Sequence, residues 1–169
     1  MTLPPFRILV PTILVLVVGI LAWQWWQRRP VIQIPRLFAR LEAAFQDKDA
    51  SEILACIHPE YDLAGTWPQV LQDKEHARGD AKRILAQVFL MSRDEPITAT
   101  VTLVTWKPVP GDARGGAEAV INLAIQGGLF TSAVPLLSNH RFTVRPASWF
   151  TGIWAITGHD PIPVNLPGQ

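Results

Sequence analysis

Four histidines and one cysteine are the side chains best suited to bind a metal or to act as nucleophiles. Their spacing argues against both roles. His58, His76, His140 and His159 are scattered, with no H-x-x-x-H or H-x-x-E-H pattern, whereas a metal needs ligands that converge at suitable spacing. Cys56 is alone, which excludes an internal disulfide and a cysteine-based zinc site. It lies in the apolar run Ile53-Leu54-Ala55-Cys56-Ile57, where a thiol reads as a small buried hydrophobe. No phosphate-binding G-x-x-x-x-G-K-S/T or G-x-G-x-x-G loop occurs, and no G-x-S-x-G nucleophile elbow. GDARGG at 111–116 lacks the Lys-Ser/Thr pair and reads as a turn. These absences predict no metal and no cofactor.

The charge balance narrows the partners. Formal net charge is +1, and no basic run is longer than a pair such as Arg28-Arg29. Nucleic-acid binding calls for a clustered basic face, so none is expected. The chain is 49% hydrophobic and only 17% charged, against about a quarter charged in an average soluble domain. One segment accounts for part of that shortfall. Ile8 to Trp26 carries no charge, and as a helix it spans about 28 Å, close to the roughly 30 Å hydrocarbon core. Trp23, Trp25 and Trp26 close it, followed by Arg28 and Arg29, an order suited to headgroups and lipid phosphates. A cleaved signal peptide would end in small residues instead. We therefore expect residues 1–29 to be a tail and a single transmembrane anchor in contact with membrane lipid. The expected location is a bacterial inner membrane. Arg28, Arg29, Arg36 and Arg40 outnumber Arg7 in the flanks, which leans the remaining domain toward the cytoplasm and leaves the periplasmic side open.

After a linker over 30–35 bounded by prolines, Ile34, Leu37, Phe38, Leu41, Ala44 and Phe45 recur at helical spacing. Asp49, with Glu52 three residues on, marks the start of a short helix that His58-Pro59 stops. Residues 69–92 read as helical, with a possible break at Gly79-Asp80 and a stripe of Ala81, Ile84, Leu85, Val88 and Phe89. The period then changes to two. ITATVTLVTW at 97–106 puts Ile97, Ala99, Val101 and Leu103 on one face and Thr98, Thr100, Thr102 and Trp106 on the other. Ala117 to Ile125 is its hairpin partner. Asn139 to Arg145 and Phe150 to Thr157 are two more strands, and 161–169 is an extended proline-rich tail. Between them, 127–138 is an unusually apolar loop.

AFQDKDASEILACIHPEY at 44–61 and WAITGHDP at 154–161 carry a resemblance. An amphipathic helix, acidic turn, short helix and histidine-proline-acidic-aromatic stop, with a late tryptophan and an isoleucine-threonine pair, resemble the NTF2-like superfamily, the SnoaL-like or cystatin-like α+β cone. The resemblance covers roughly 34–160. It implies an α+β domain over 36–160, with three helices packed on a curved antiparallel sheet of about four strands around a cone-shaped cavity. Family enzymes place an acid or base and a hydrogen-bond donor in that cavity. Tyr61, Asp62, Asp80 and His140 are the residue types that could serve, but no spacing singles one out. Trp67, Trp106, Phe130, Leu136 and Trp154 complete the candidate cavity or partner contacts.

The expectation is a non-enzymatic, membrane-anchored accessory or interaction subunit of a larger membrane protein complex. Its partners would be membrane proteins or a second copy of the chain. The alternative is a small-molecule binder, or an isomerase- or cyclase-type enzyme, using the cone cavity.

Overall fold

The computed structural model describes residues 6–66, 71, 73–112, 114–127, 135–147 and 152–160, without side chains for 6–10 and 135–137. The helices among them are α1 (Phe6–Gln27), α2 (Pro30–Gln46), α3 (Ala50–Ala55), α4 (Leu63–Thr66) and α5 (Ala77–Met91). The strands are β1 (Thr98–Pro108), β2 (Ala117–Gln126), β3 (Pro135–Pro146) and β4 (Trp154–His159). They form one antiparallel sheet in the order β1-β2-β3-β4.

Among the described residues, no helix is long and apolar enough to cross a membrane. The membrane-anchor reading is corrected on that finding. α1 runs over Phe6–Gln27, and its last turn carries the polar Gln24 and Gln27. The single-pass, bitopic chain, its inner-membrane location and a domain leaning to the cytoplasm fall with the anchor. What α1 does show is a helix exposed on every side. Leu14, Val15, Leu16, Val18, Leu21, Trp23 and Trp25 are all exposed.

Residues 30–35 are helical rather than a linker. Arg29 is extended and Pro30 opens α2, a position where the missing N–H would have had no intrahelical partner. Pro35 sits further inside and leaves the Val31 carbonyl without its usual donor. Only Arg28 and Arg29 therefore separate α1 from α2.

The arrangement of helices also departs from three helices packed on the sheet. α2 lies on the sheet through Ile34, Leu37, Phe38, Leu41 and Ala44, all buried, while α3 packs between α2 and α5, and α5 packs on α3 and α4. The half-buried Arg40–Glu52 ion pair ties α2 to α3. Asp49 caps α3, accepting from the Ser51 and Glu52 amides at 2.9 and 3.0 Å. Glu52 turns to Arg40 instead of back to the cap. α5 runs unbroken through Gly79-Asp80; Asp80 sits in its first turn and pairs with Arg83 at 2.7 Å.

In the sheet, Ala99, Ala119, Ile121 and Val144 are fully buried against α2. One irregularity changes a face. Leu103 pairs with Ile121 and Thr105 with Val120, leaving Val104 as an extra residue. A one-residue bulge inverts the alternation beyond it. Trp106 therefore packs against the core beside Ala119 rather than on the threonine face. Strand β3 starts at Pro135, so the end of the apolar 127–138 segment is strand; 128–134 lie outside the described residues.

Both sheet edges are covered. On β1, the Glu42 carboxylate accepts from the Val101 amide at 2.9 Å and Gln46 donates to the Ala99 carbonyl at 3.1 Å. On β4, the His58 amide donates to the Ile156 carbonyl and the Ile156 amide to the Cys56 carbonyl, and Ile57 forms a parallel bridge to Ile156. An unpaired edge invites another strand, and here α2 side chains and the chain leaving α3 fill that role.

Candidate functional site

The densest set of chemically capable side chains forms where the ends of β3 and β4 meet the chain after α3. On β3, His140, Phe142 and Val144 alternate onto the face that looks toward α2. A register shift between Thr143 and Val144 lets β4 present both Ile156 and His159 opposite that row, with Phe142 paired to His159. His140 is 6% exposed. Its Nε2 lies 3.4 Å from His159 Nδ1, and His159 Nδ1 also contacts the Asp160 carbonyl. Phe142 packs edge-on to His140 with ring centres 5.2 Å apart and reaches Phe38 of α2 at 6.3 Å. Tyr61 lies over His159 at 5.8 Å.

The electrostatics follow from this crowding. Burial lowers the His140 pKa, and the neighbouring His159 lowers it further; the Asp160 carbonyl and carboxylate oppose them. Burial raises the Tyr61 pKa, and its hydroxyl sits 3.1 Å from that of Thr66. Asp62 is the opposite case. It faces solvent, accepts from the Gly65 amide at 2.9 Å and pairs with Lys74 at 3.3 Å. The Gly65 bond first, then Lys74, holds its pKa low. An exposed, ionised and partnered carboxylate is poorly placed as a general base.

The other expected site residues divide. Trp154 is 3% exposed and Trp106 half-buried, both in the main core. Trp67 and Phe130 lie outside the described residues, and the Leu136 side chain does too. Trp23, Trp25 and Trp26 are exposed on α1, and the Arg29 guanidinium stacks on Trp25 and Trp26 at 4.1 and 4.4 Å. Arg28 lies against Gly152, where an added Cβ would meet its Cγ at 2.5 Å. The α1–α2 junction is therefore packed on the approach to β4. Cys56 is buried, and burial pushes its thiol up to about 11, which leaves it inert as a nucleophile.

Sequence reasoning placed Tyr61 and His140 among the candidates but missed His159. The alternation of β4 was its one signal, and that signal is unreadable without the register shift. Between α2 and the sheet, Phe38, Phe142, Trp154 and Ile121 fill the space that a cone cavity would occupy. An open depression of about 560 Å³ lies elsewhere, between the α2–α3 turn and α5, lined by Lys48, Lys82, Phe89 and Arg93 among others. Lys48 is already engaged there, donating to the carbonyls of Ser92, Arg93 and Glu95. Among the described residues, no three histidine, cysteine, aspartate or glutamate side chains converge to hold a metal.

No protein-family model and no curated protein matches the chain. The helix-on-meander architecture is shared by many α+β domains, so function must be argued from the surfaces themselves.

Proposed function

We propose that the chain is a non-enzymatic interaction subunit that docks into a larger protein assembly through α1. The observation that carries this reading is the exposed apolar surface of that helix, from Ile13 to Trp26. A helix apolar on every face is covered in its working state, and no other element of the described chain covers it. An exposed apolar area of this kind marks a contact site. The filled space between α2 and the sheet supports the same reading, because a cone enzyme needs room for substrate beside its base. On this proposal the α+β part is an NTF2-like domain used for contact rather than catalysis.

The test is site-specific photocrosslinking of the full chain in its native cells. A crosslinker at Val17 on α1 is compared with one at Lys82 on α5. The expected result is a crosslink from Val17 to an apolar helix of a second polypeptide, absent from Lys82 and lost in the Val15→Asp/Val18→Asp variant. Crosslinks from Val17 to lipid alone, or a monomer carrying a small molecule within the domain, would overturn the proposal.

A further inference from the structure

The reading above leaves the His140–His159 pair unused. Two imidazoles face each other at 3.4 Å, one of them buried. A hydrogen bond across that gap needs one nitrogen with a proton and one without, so the pair holds together only while it lacks a proton. Fully protonated, it places two cations at contact distance in a partly buried corner.

Among the neighbouring groups, Asp160 alone favours the charged form of His140, and burial and His159 outweigh it. Just after β4, Asp160 turns its carboxylate toward Arg141, with 3.8 Å between Oδ2 and Nε, and Arg141 also approaches Glu118 at 4.0 Å. From β2, His140 is opposed by Ile121. From α2, the nearest ring in the stack is Phe38 behind Phe142. From the chain after α3, Tyr61 covers His159 with a ring whose phenol remains protonated. The Asp160 carbonyl is the remaining acceptor.

The pair also sits at a mechanical junction. It joins the middle of β3 to the last residue of β4, and Tyr61 links β4 to the segment that covers the sheet edge at Ile156.

We propose that His140 and His159 form an acid-released latch, closed near neutral pH, which frees the end of β4 and the Tyr61 turn when the pair takes its second proton. Release would expose Phe142 and Tyr61, so mild acid would alter the surface of the domain without unfolding α2 from the sheet. The latch is independent of what α1 binds.

The test is NMR on the full chain between pH 8 and 5, reading the imidazole signals and amide exchange corrected for its intrinsic pH dependence. Three results are expected. His140 titrates below an ordinary histidine, and its midpoint moves up in His159→Gln. Exchange at Phe142 and His159 speeds at least about tenfold between pH 7.5 and 5.5, while Ala99 and Ile121 stay protected. His140→Phe, which keeps a ring beside Phe142, abolishes that acid-dependent increase. An ordinary midpoint for His140, no response to His159→Gln, or equal acceleration across the whole sheet would overturn the latch.

Discussion

Single residues in this chain show how environment decides chemistry. His140 and His76 are the same residue type with opposite shifts. Burial and then His159 lower His140, whereas the Asp73 carboxylate 2.7 Å away raises His76. Stability follows with opposite signs. Unfolding returns His140 to about 6.5, so its contribution is complete above that value and is lost as pH falls through the lower folded pKa. The His76 contribution is present below about 6.5 and is lost as pH rises through its raised folded pKa; full exposure keeps it small. The shifted carboxylates titrate in more acid solution. We therefore expect the melting temperature to fall between pH 7 and 5, and His140→Phe to flatten that slope. Equal slopes in the two proteins would show that the buried histidine does not control acid sensitivity. Gly127 makes a second case. It has φ +98°, and a Cβ there would stand 2.0 Å from the Pro96 carbonyl oxygen. Gly127→Ala should cost about 2 kcal/mol or more in urea melts, because backbone must move to admit the methyl.

At the level of elements, ends and edges carry the specificity. Asp49 satisfies two amides at the start of α3. Asp49→Ala should cost about 1 kcal/mol, measured by chemical denaturation, and the Arg40–Glu52 pair should not compensate because it satisfies neither of those amides. Glu42 and Gln46 matter through the groups they cover on β1. The double variant Glu42→Ala/Gln46→Ala should leave the Val101 amide and Ala99 carbonyl open and promote edge-to-edge pairing. Light scattering on heating should show earlier aggregation than in the parent protein. An unchanged onset would mean that the edge is blunted by its bulge at Val104 alone. The helical stripes were legible in the sequence: Ile34, Leu37, Phe38, Leu41 and Ala44 are the buried face of α2, since a 3.6-residue period depends on local geometry only. Alternation was legible for Ile97, Ala99, Ala119 and Ile121, and failed at Trp106. An inserted residue is a property of the strand pair and leaves no mark on one strand's pattern.

On the scale of the whole molecule, two surfaces contrast. The space between α2 and the sheet is filled by aromatic and aliphatic side chains, whereas α1 presents similar side chains to its surroundings. An uncovered area of that kind is costly in water, at about 25 cal/mol per Å². Truncating Phe38, which is 1% exposed, should therefore damage the domain by about 3–5 kcal/mol in denaturant melts. Val15→Asp/Val18→Asp, on the exposed helix, should leave domain stability near that of the parent and reduce association. A variant that lost both together would place α1 in the fold rather than at a contact.

The sequence by itself determined the local periods, the Asp49 cap and the isolation of Cys56, because each depends on neighbours within a few positions; the end of α3 at Ala55, ahead of His58-Pro59, was set by the pairing of Ile57 with Ile156. The sequence could not decide that residues 30–35 continue as helix, since Pro30 is compatible with a linker and with a first helical turn alike. Nor could it bring together Tyr61, His140 and His159, which are separated by up to 98 positions. Their meeting required the Thr143/Val144 register shift and the pairing of the post-α3 chain with β4. Those are long-range choices, set by which apolar faces can be buried together.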